Sequence, residues 1–277
     1  HRYVINFEDF PLGRRELSPT WAQATEKQQR EYLSSGLVPE DYPEPVAEDW
    51  PELLEIVRTK VKPDRDVQKR DALREKWWHY ADKRPGLYAA IHGLPRVLAI
   101  SIVTQNPNFL FLPLGMVYAH RLEVFTLSSN SQFSIMQSSF HDLWTRFFTS
   151  TLEERLNYSA TDCFETFPFP NDSEFHATLE ATGEACYTFR ADLMVRTGQG
   201  LTKTYNRFHD PGEHDPDIHR LRELHRAMDE AVLEAYGWSD LLHQLEYGFY
   251  PDFEPTEDED GEPTKVRLRY RWPNGLR

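Results

Sequence analysis

Apolar and polar positions change their spacing several times along the 277 residues, and each change predicts an element. Tyr3–Phe7 alternates as a short strand, ended by Asp9 and Pro11. Ser18-Pro19 supplies a capping side chain and a first-turn proline, which predicts a helix from Thr20 to about Ser34 that stops at Gly36. The proline-rich, acidic stretch from Pro39 to Pro51 reads as a loop. Glu52–Val61 and Asp66–Tyr80 have helical spacing, with Arg70, Arg74 and Trp77 or Trp78 on neighbouring faces of the second. After Gly93 the pattern turns β-branched and aromatic. Arg96–Thr104 and Phe109–Leu112 predict a hairpin whose polar tip is Gln105-Asn106-Pro107-Asn108, and Leu122–Leu127 a third strand. Phe133–Phe148 is amphipathic, burying Ile135, Phe140, Leu143, Trp144 and Phe147 or Phe148. Phe167-Pro168-Phe169-Pro170 excludes regular structure and marks a boundary. Beyond it helices dominate, Ser173–Thr197 and Asp217–Tyr236 with Asp217 as cap, before an acidic loop and a last strand, Val266–Arg271. The fold class is α+β: a short antiparallel sheet with helices over 1–170, then a helical segment with an acidic loop and final strand over 171–277.

Composition narrows this. A 39% apolar, 13% aromatic chain of this length buries a substantial core, and apolar runs such as Val97–Ile102 are far too short to span a bilayer. Cys163 and Cys186 do not make a disulfide framework and suit a reducing cytoplasm. With no initiator Met and no signal peptide, the chain is read as a piece of a longer protein. The net charge of −14 would argue against a polyanionic partner, but it is unevenly spread. Between Arg58 and Arg96 eleven Lys and Arg face five Asp and Glu, a local +6, whereas Asp252–Glu262 holds seven acids and no base. A local positive field is what association with phosphates needs. A solvated helix pair would also carry such a run.

Catalytic motifs do not survive inspection. Asn106-Pro107-Asn108-Phe109 looks like the base-holding loop of amino-methyltransferases, but Asn108 replaces a proline and no glycine-rich cofactor loop precedes it. His209, His214, His219 and His225 match no zinc spacing, so structural hydrogen bonds are expected of them and no metal. Glu75-Lys76 lies on an expected helix without the acid-bearing strand a nuclease needs, and there is no Gly-x-Ser-x-Gly elbow or phosphate loop. What remains is recognition chemistry. Lys62, Arg65, Lys69, Arg70 and Arg74 are placed for phosphates, which position without specifying. Arg96, Thr104, Gln105, Asn106, Asn108, Arg121, Ser129, Asn130 and Gln132 are the residue types that read base edges. Polar loop tips also occur simply because loops face water.

Several segments taken together sharpen the choice. They include Arg2–Phe7, Val61-Lys62-Pro63-Asp64-Arg65, Trp77-Trp78, Phe109–Pro113, Ser138–Trp144, Cys163–Pro170, Leu201–Pro211 and Ala235-Tyr236-Gly237-Trp238. Their order and spacing resemble the C-terminal part of large adenine-specific DNA methyltransferases. These are the single-chain type IIG and IIL restriction–modification enzymes and the methylases of related phage-exclusion (BREX- and DISARM-like) systems. The resemblance implies that residues up to about Pro170 form a target-recognition domain and that the helices behind it help clamp duplex DNA. It implies a parent enzyme that uses S-adenosylmethionine to methylate adenine N6 on a catalytic domain upstream of His1. The present chain then holds no cofactor and performs no methyl transfer alone. The alternative is a protein-docking module of a phage-defence complex.

Overall fold

In a computed structural model, residues 3–7, 10–81, 83–149, 151–152, 155–171, 173, 176–251 and 267–272 are described. They form two compact units, His1–Tyr88 and Ala89–Arg277. Helices and small, mostly antiparallel sheets make an α+β fold, with helices dominating the C-terminal part. The acidic stretch Asp252–Glu262 expected from the sequence lies outside the described residues.

The first unit begins without a strand at Tyr3–Phe7; its first strand is β1 (Gly13–Arg15), which runs parallel to β2 (Leu37–Pro39). Between them α1 (Glu26–Ser35) starts six residues later than Ser18-Pro19 suggested, because Thr25 and Gln28 form a reciprocal capping box there. It stops where expected, at Gly36, whose φ of 81° is left-handed. A side chain at Gly36 would also collide with the Trp78 ring. Helix α2 (Pro51–Lys60) carries proline in its first turn. The long helix expected over Asp66–Tyr80 is instead two short ones, α3 (Lys62–Asp66) and α4 (Asp71–Glu75). The chain then turns Trp77 and Trp78 inward onto Phe7, Ala47, Leu54 and Val57, and Trp78 donates to the Phe10 carbonyl at 3.0 Å. Burying two indoles in a small core outweighs continued helix. Helix α5 (Pro85–Ile91) contains the division between the units.

In the second unit β3 (Val97–Ser101) is the central strand, flanked antiparallel by β5 (Leu110–Leu112) and β6 (Leu122–Phe125). Val97 to Ile100 are all fully buried, so the strand is covered on both faces. The chain leaves this sheet at Ile102. Val103–Thr104 (β4) pairs with β8 (Arg155–Asn157), which also pairs with β7 (Thr151–Leu152). The expected hairpin therefore exists at its base, but Val103–Thr104, just before its tip, is drawn into a second small sheet. The single helix expected over Phe133–Phe148 is broken into α6 (Asn130–Gln137) and α7 (Ser139–Phe148). Ser138 is extended and accepts from the His141 N–H, starting a new helix. Phe147 is 81% exposed and Phe148 is exposed too, so the buried face ends at Trp144.

Behind the sheet lie α8 (Ala177–Thr197), α9 (Leu201–Phe208) and α10 (Pro216–Ala235). Leu179, Gly183, Cys186, Arg190 and Leu193 make one buried stripe on α8 at alternating spacings of four and three. At Gly183 any Cβ would overlap the Asn130 carbonyl, so α6 and α8 cross in close contact. Asp215, not Asp217, caps α10, accepting from the Asp217 N–H at 2.9 Å. Two closing strands, β9 (Gly248–Pro251) and β10 (Leu268–Arg271), pair antiparallel. One apolar cluster joins Leu98, Phe109, Phe125 and Phe133 to Cys186, Leu193, Tyr205, Ile218 and Met228. The boundary expected at 170/171 thus lies within a shared core. Both cysteines are free and buried. No helix among the described residues is long and apolar enough to cross a membrane.

Candidate nucleic-acid interface

The residues expected to contact phosphates sit on α3, α4 and the turn between them. Lys62 pairs with Asp66 at 2.7 Å and Arg74 with Asp71, one turn away along their own helices. The side chains of Arg65, Lys69 and Arg70 have no hydrogen bond or ion pair among the described residues, and Lys69 and Arg70 are exposed. Three guanidinium or ammonium groups are therefore free for an anion, and two are partly neutralised.

The residues expected to read bases separate into three groups. Arg96 is a brace: it donates to the Ser128 carbonyl at 2.8 Å and to Asn130 at 2.9 Å, and its guanidinium lies 3.5 Å over the Phe111 ring. Asn130 in turn donates to Glu180 at 2.8 Å. Ser129 and Gln132 form the capping box that starts α6. These four hold the β6–α6 loop in place. Asn106 and Asn108 form the second group, buried rather than at an exposed tip. Asn108 donates to the Asn106 carbonyl at 3.2 Å and accepts from Gln137 at 3.3 Å. The Asn106 amide oxygen accepts from Arg269. Thr104 ties off the same turn, donating to the Asn106 carbonyl at 2.6 Å. Only Gln105, half-buried beside an open pocket of about 130 Å³, and Arg121, exposed and unpartnered among the described residues, remain available to a ligand.

What holds the Thr104–Asn108 turn was missed in the sequence, because its partners are distant in the chain. Fully buried Arg190 donates to the Phe109 carbonyl at 2.6 Å, to Gln137 at 3.0 Å and to the Tyr205 hydroxyl at 3.1 Å. Gln137 accepts the Phe109 N–H at 2.9 Å, so one guanidinium and one amide fix the start of β5. Tyr205 shares a 2.8 Å hydrogen bond with His225 Nε2. Asp229 accepts from the Ser139 N–H and hydroxyl, each at 2.7 Å, and from the Tyr247 hydroxyl at 3.0 Å. Burial raises its carboxyl to about 7 and pushes the His225 imidazole down to about 3, so the histidine is neutral. His209 is likewise held far below its ordinary value by burial and accepts from the Tyr270 N–H at 3.2 Å. Structural hydrogen bonding accounts for His209 and His225, as expected, whereas His214 and His219 are exposed on the surface. No group of metal-ligating side chains occurs among the described residues.

The cavity enclosed by Asn106, Asn108, Tyr205, His225, Asp229 and Arg269 measures about 40 Å³. That is room for ordered water beside the Asn106–Phe109 turn. In the strand–helix–strand unit β1–α1–β2, Glu16 to Thr25 carries no glycine to let a cofactor lie against the backbone.

The residues available to a ligand in the second unit cluster around the turn at Gln105 and the start of β6. Residues 82–171 match the family model of the MmeI target recognition domain. The nine residues chosen for base reading all fall inside that segment, and the five chosen for phosphates fall before it. The fold is similar to that of the type IIL restriction–modification enzyme MmeI, solved in complex with DNA. The TM-score is 0.50 at 20% identity, over 67% of this chain and 24% of that one. The chain spans about a quarter of that MmeI chain. A search of curated proteins finds no match. Arg190, Tyr205, His225 and Arg269, which hold the turn inside the MmeI-matched segment, all lie beyond its end.

Proposed function

We propose that this chain is the sequence-recognition part of a DNA methyltransferase of the type IIL kind, with double-stranded DNA as its partner. The observation that carries the reading is the match of residues 82–171 to the MmeI target recognition domain, with Gln105 and Arg121 left available on that segment. Lys69, Arg70 and Arg65 supply unpaired cations for phosphates. The base modified is adenine, at N6, and S-adenosylmethionine is bound by a catalytic domain elsewhere in the parent protein, within the cytoplasm. Nothing in the described residues performs the transfer; their part is to choose the site and hold the duplex. Restriction–modification and phage defence are the settings such an enzyme serves.

The experiment is a salt titration of duplex binding by the full chain. Log affinity should fall linearly with log salt, with a slope of roughly −0.9 for each phosphate neutralised. A flat profile overturns the proposal. An aromatic cluster on α7 favours a second reading, docking onto a protein subunit: Phe148 is in ring contact with both Trp144 and Phe147, and Phe147 is exposed. A flat salt profile with stoichiometric binding to a partner of the parent complex would select that reading instead.

A further inference from the structure

We infer that Arg269, on the closing strand β10, is a positioning residue for base reading, so that the C-terminal strand belongs to the specificity machinery. The inference rests on the proposed function. Arg269 is buried, and its two terminal nitrogens reach two successive residues of one turn: Nη1 donates to the Asn106 side chain and Nη2 to the Gln105 carbonyl at 2.8 Å. A guanidinium is a rigid planar fork, so two bonds from it fix both the position and the tilt of the peptide they meet. Exposed Asn206 on α9 adds a second tie. Its amide oxygen accepts from Arg267 at 2.7 Å and, at 3.5 Å, from the Asn106 amide. The turn so held walls the open pocket of about 130 Å³, whose other sides include Ser101, Leu110, Leu122 and Thr202. Gln105 is the member of the turn whose side chain is not tied internally, so the direction of its backbone sets where its amide points. Discrimination between bases depends on hydrogen-bond geometry at the base edge, and a tilted peptide would blur it without removing any contact to phosphate.

The test is selection of sites from a randomised duplex pool by the full chain. Wild type is compared with Arg269→Gln, Arg269→Lys, Asn206→Ala, Gln105→Ala and the Gln105→Ala/Arg269→Gln double variant. Thermal melts establish that the variants compared are folded. In Arg269→Gln, preference at one or more positions of the selected site should fall about three- to tenfold, as expected for one or two lost hydrogen bonds. Low-salt affinity for bulk duplex should stay within about twofold, because the phosphate contacts are untouched. Arg269→Lys should recover part of the preference. Asn206→Ala, at an exposed position, should weaken the same site positions by a smaller factor, and decides the matter if Arg269→Gln fails to fold. In the Gln105→Ala background, Arg269→Gln should cost little more. Folded Arg269→Gln, or folded Asn206→Ala where that variant decides, selecting the wild-type site with undiminished preference overturns the inference and leaves DNA recognition standing. A wild-type chain that selects no site overturns the functional reading, and this inference with it.

Discussion

The cations around α3 and α4 are used differently from the buried arginines of the second unit. Around α3 and α4, the side chains of Arg65, Lys69 and Arg70 are unpaired, Lys62 pairs with Asp66, and Arg74 pairs with Asp71 and donates to the Gln68 carbonyl. In the second unit Arg190, Arg222 and Arg269 are buried, and each donates to at least one main-chain carbonyl. Arg222 reaches the carbonyls of Phe208 and Asp210, satisfying the open end of α9 where a cation also suits the helix dipole. One set of charges is left to solvent; the other supplies hydrogen bonds that the loops cannot make for themselves. Counting basic residues along a sequence cannot separate these uses.

The comparison breaks most visibly at Arg190. Replacing it by Leu strands the Phe109 carbonyl and takes one of two hydrogen-bond partners from the Tyr205 hydroxyl, and should destabilise the second unit by about 3 kcal/mol in chemical denaturation. A loss below about 1 kcal/mol would mean the buried guanidinium is dispensable. Acid should act next. His225 and His141 are pushed by burial from 6.5 to about 3, so below pH 6.5 the unfolded state takes up protons the folded state refuses. Stability therefore falls as pH drops from 6.5 toward 3. Asp229 works the other way: with its pKa raised from 3.8 to about 7, its contribution weakens as pH rises through that window. Between pH 7 and 5 each histidine should withdraw about 2 kcal/mol, so His225→Gln should flatten the profile by that amount. An unchanged slope would show that His225 protonates freely in the fold.

Smaller effects sharpen the contrast on the DNA side. Ala at Arg65, Lys69 or Arg70 should each lower the salt slope of duplex binding by roughly 0.9, and Ala at Lys62 or Arg74 by less, because those charges are already partly neutralised. Equal effects at all five would refute the distinction between free and paired cations. Smallest in stability terms, Gln105→Ala should change the preferred site while leaving the melting temperature within about 2 °C, the behaviour of a surface substitution. Asn108→Ala should do the reverse, lowering stability by about 1 kcal/mol through its lost amide bonds. Site selection and melting of the two variants side by side separate a reader from a strut.

The elements that were legible in the sequence are those decided locally. The helix expected over Glu52–Val61 is α2, shifted by one residue, Gly36 ends α1, and the apolar run at Val97–Ile100 is the buried central strand. What misled were competitions with distant partners. Ser138 breaks the long amphipathic stretch because its hydroxyl caps a new helix and Asp229, ninety residues on, takes the next N–H. Asn106 and Asn108 have the composition of an exposed turn, yet the guanidinium that fills one of them sits 163 positions away. Ser129 and Gln132 were chosen as readers for their chemistry, and the same chemistry made them a capping box. The candidate site was therefore legible as a region and not residue by residue.

The continuous core across residue 170 bears on how such chains can exchange segments. Phe109 and Phe133 share one apolar cluster with Cys186, Tyr205 and Met228, and α6 touches α8 backbone to backbone at Gly183. A chimera joined just after Pro170 would pair the sheet of one parent with helices shaped for another, and lineages recombining there would inherit mismatched packing. A crossover near Tyr88, carrying everything from Ala89 onward, keeps sheet, helices and closing strand together as one heritable cassette.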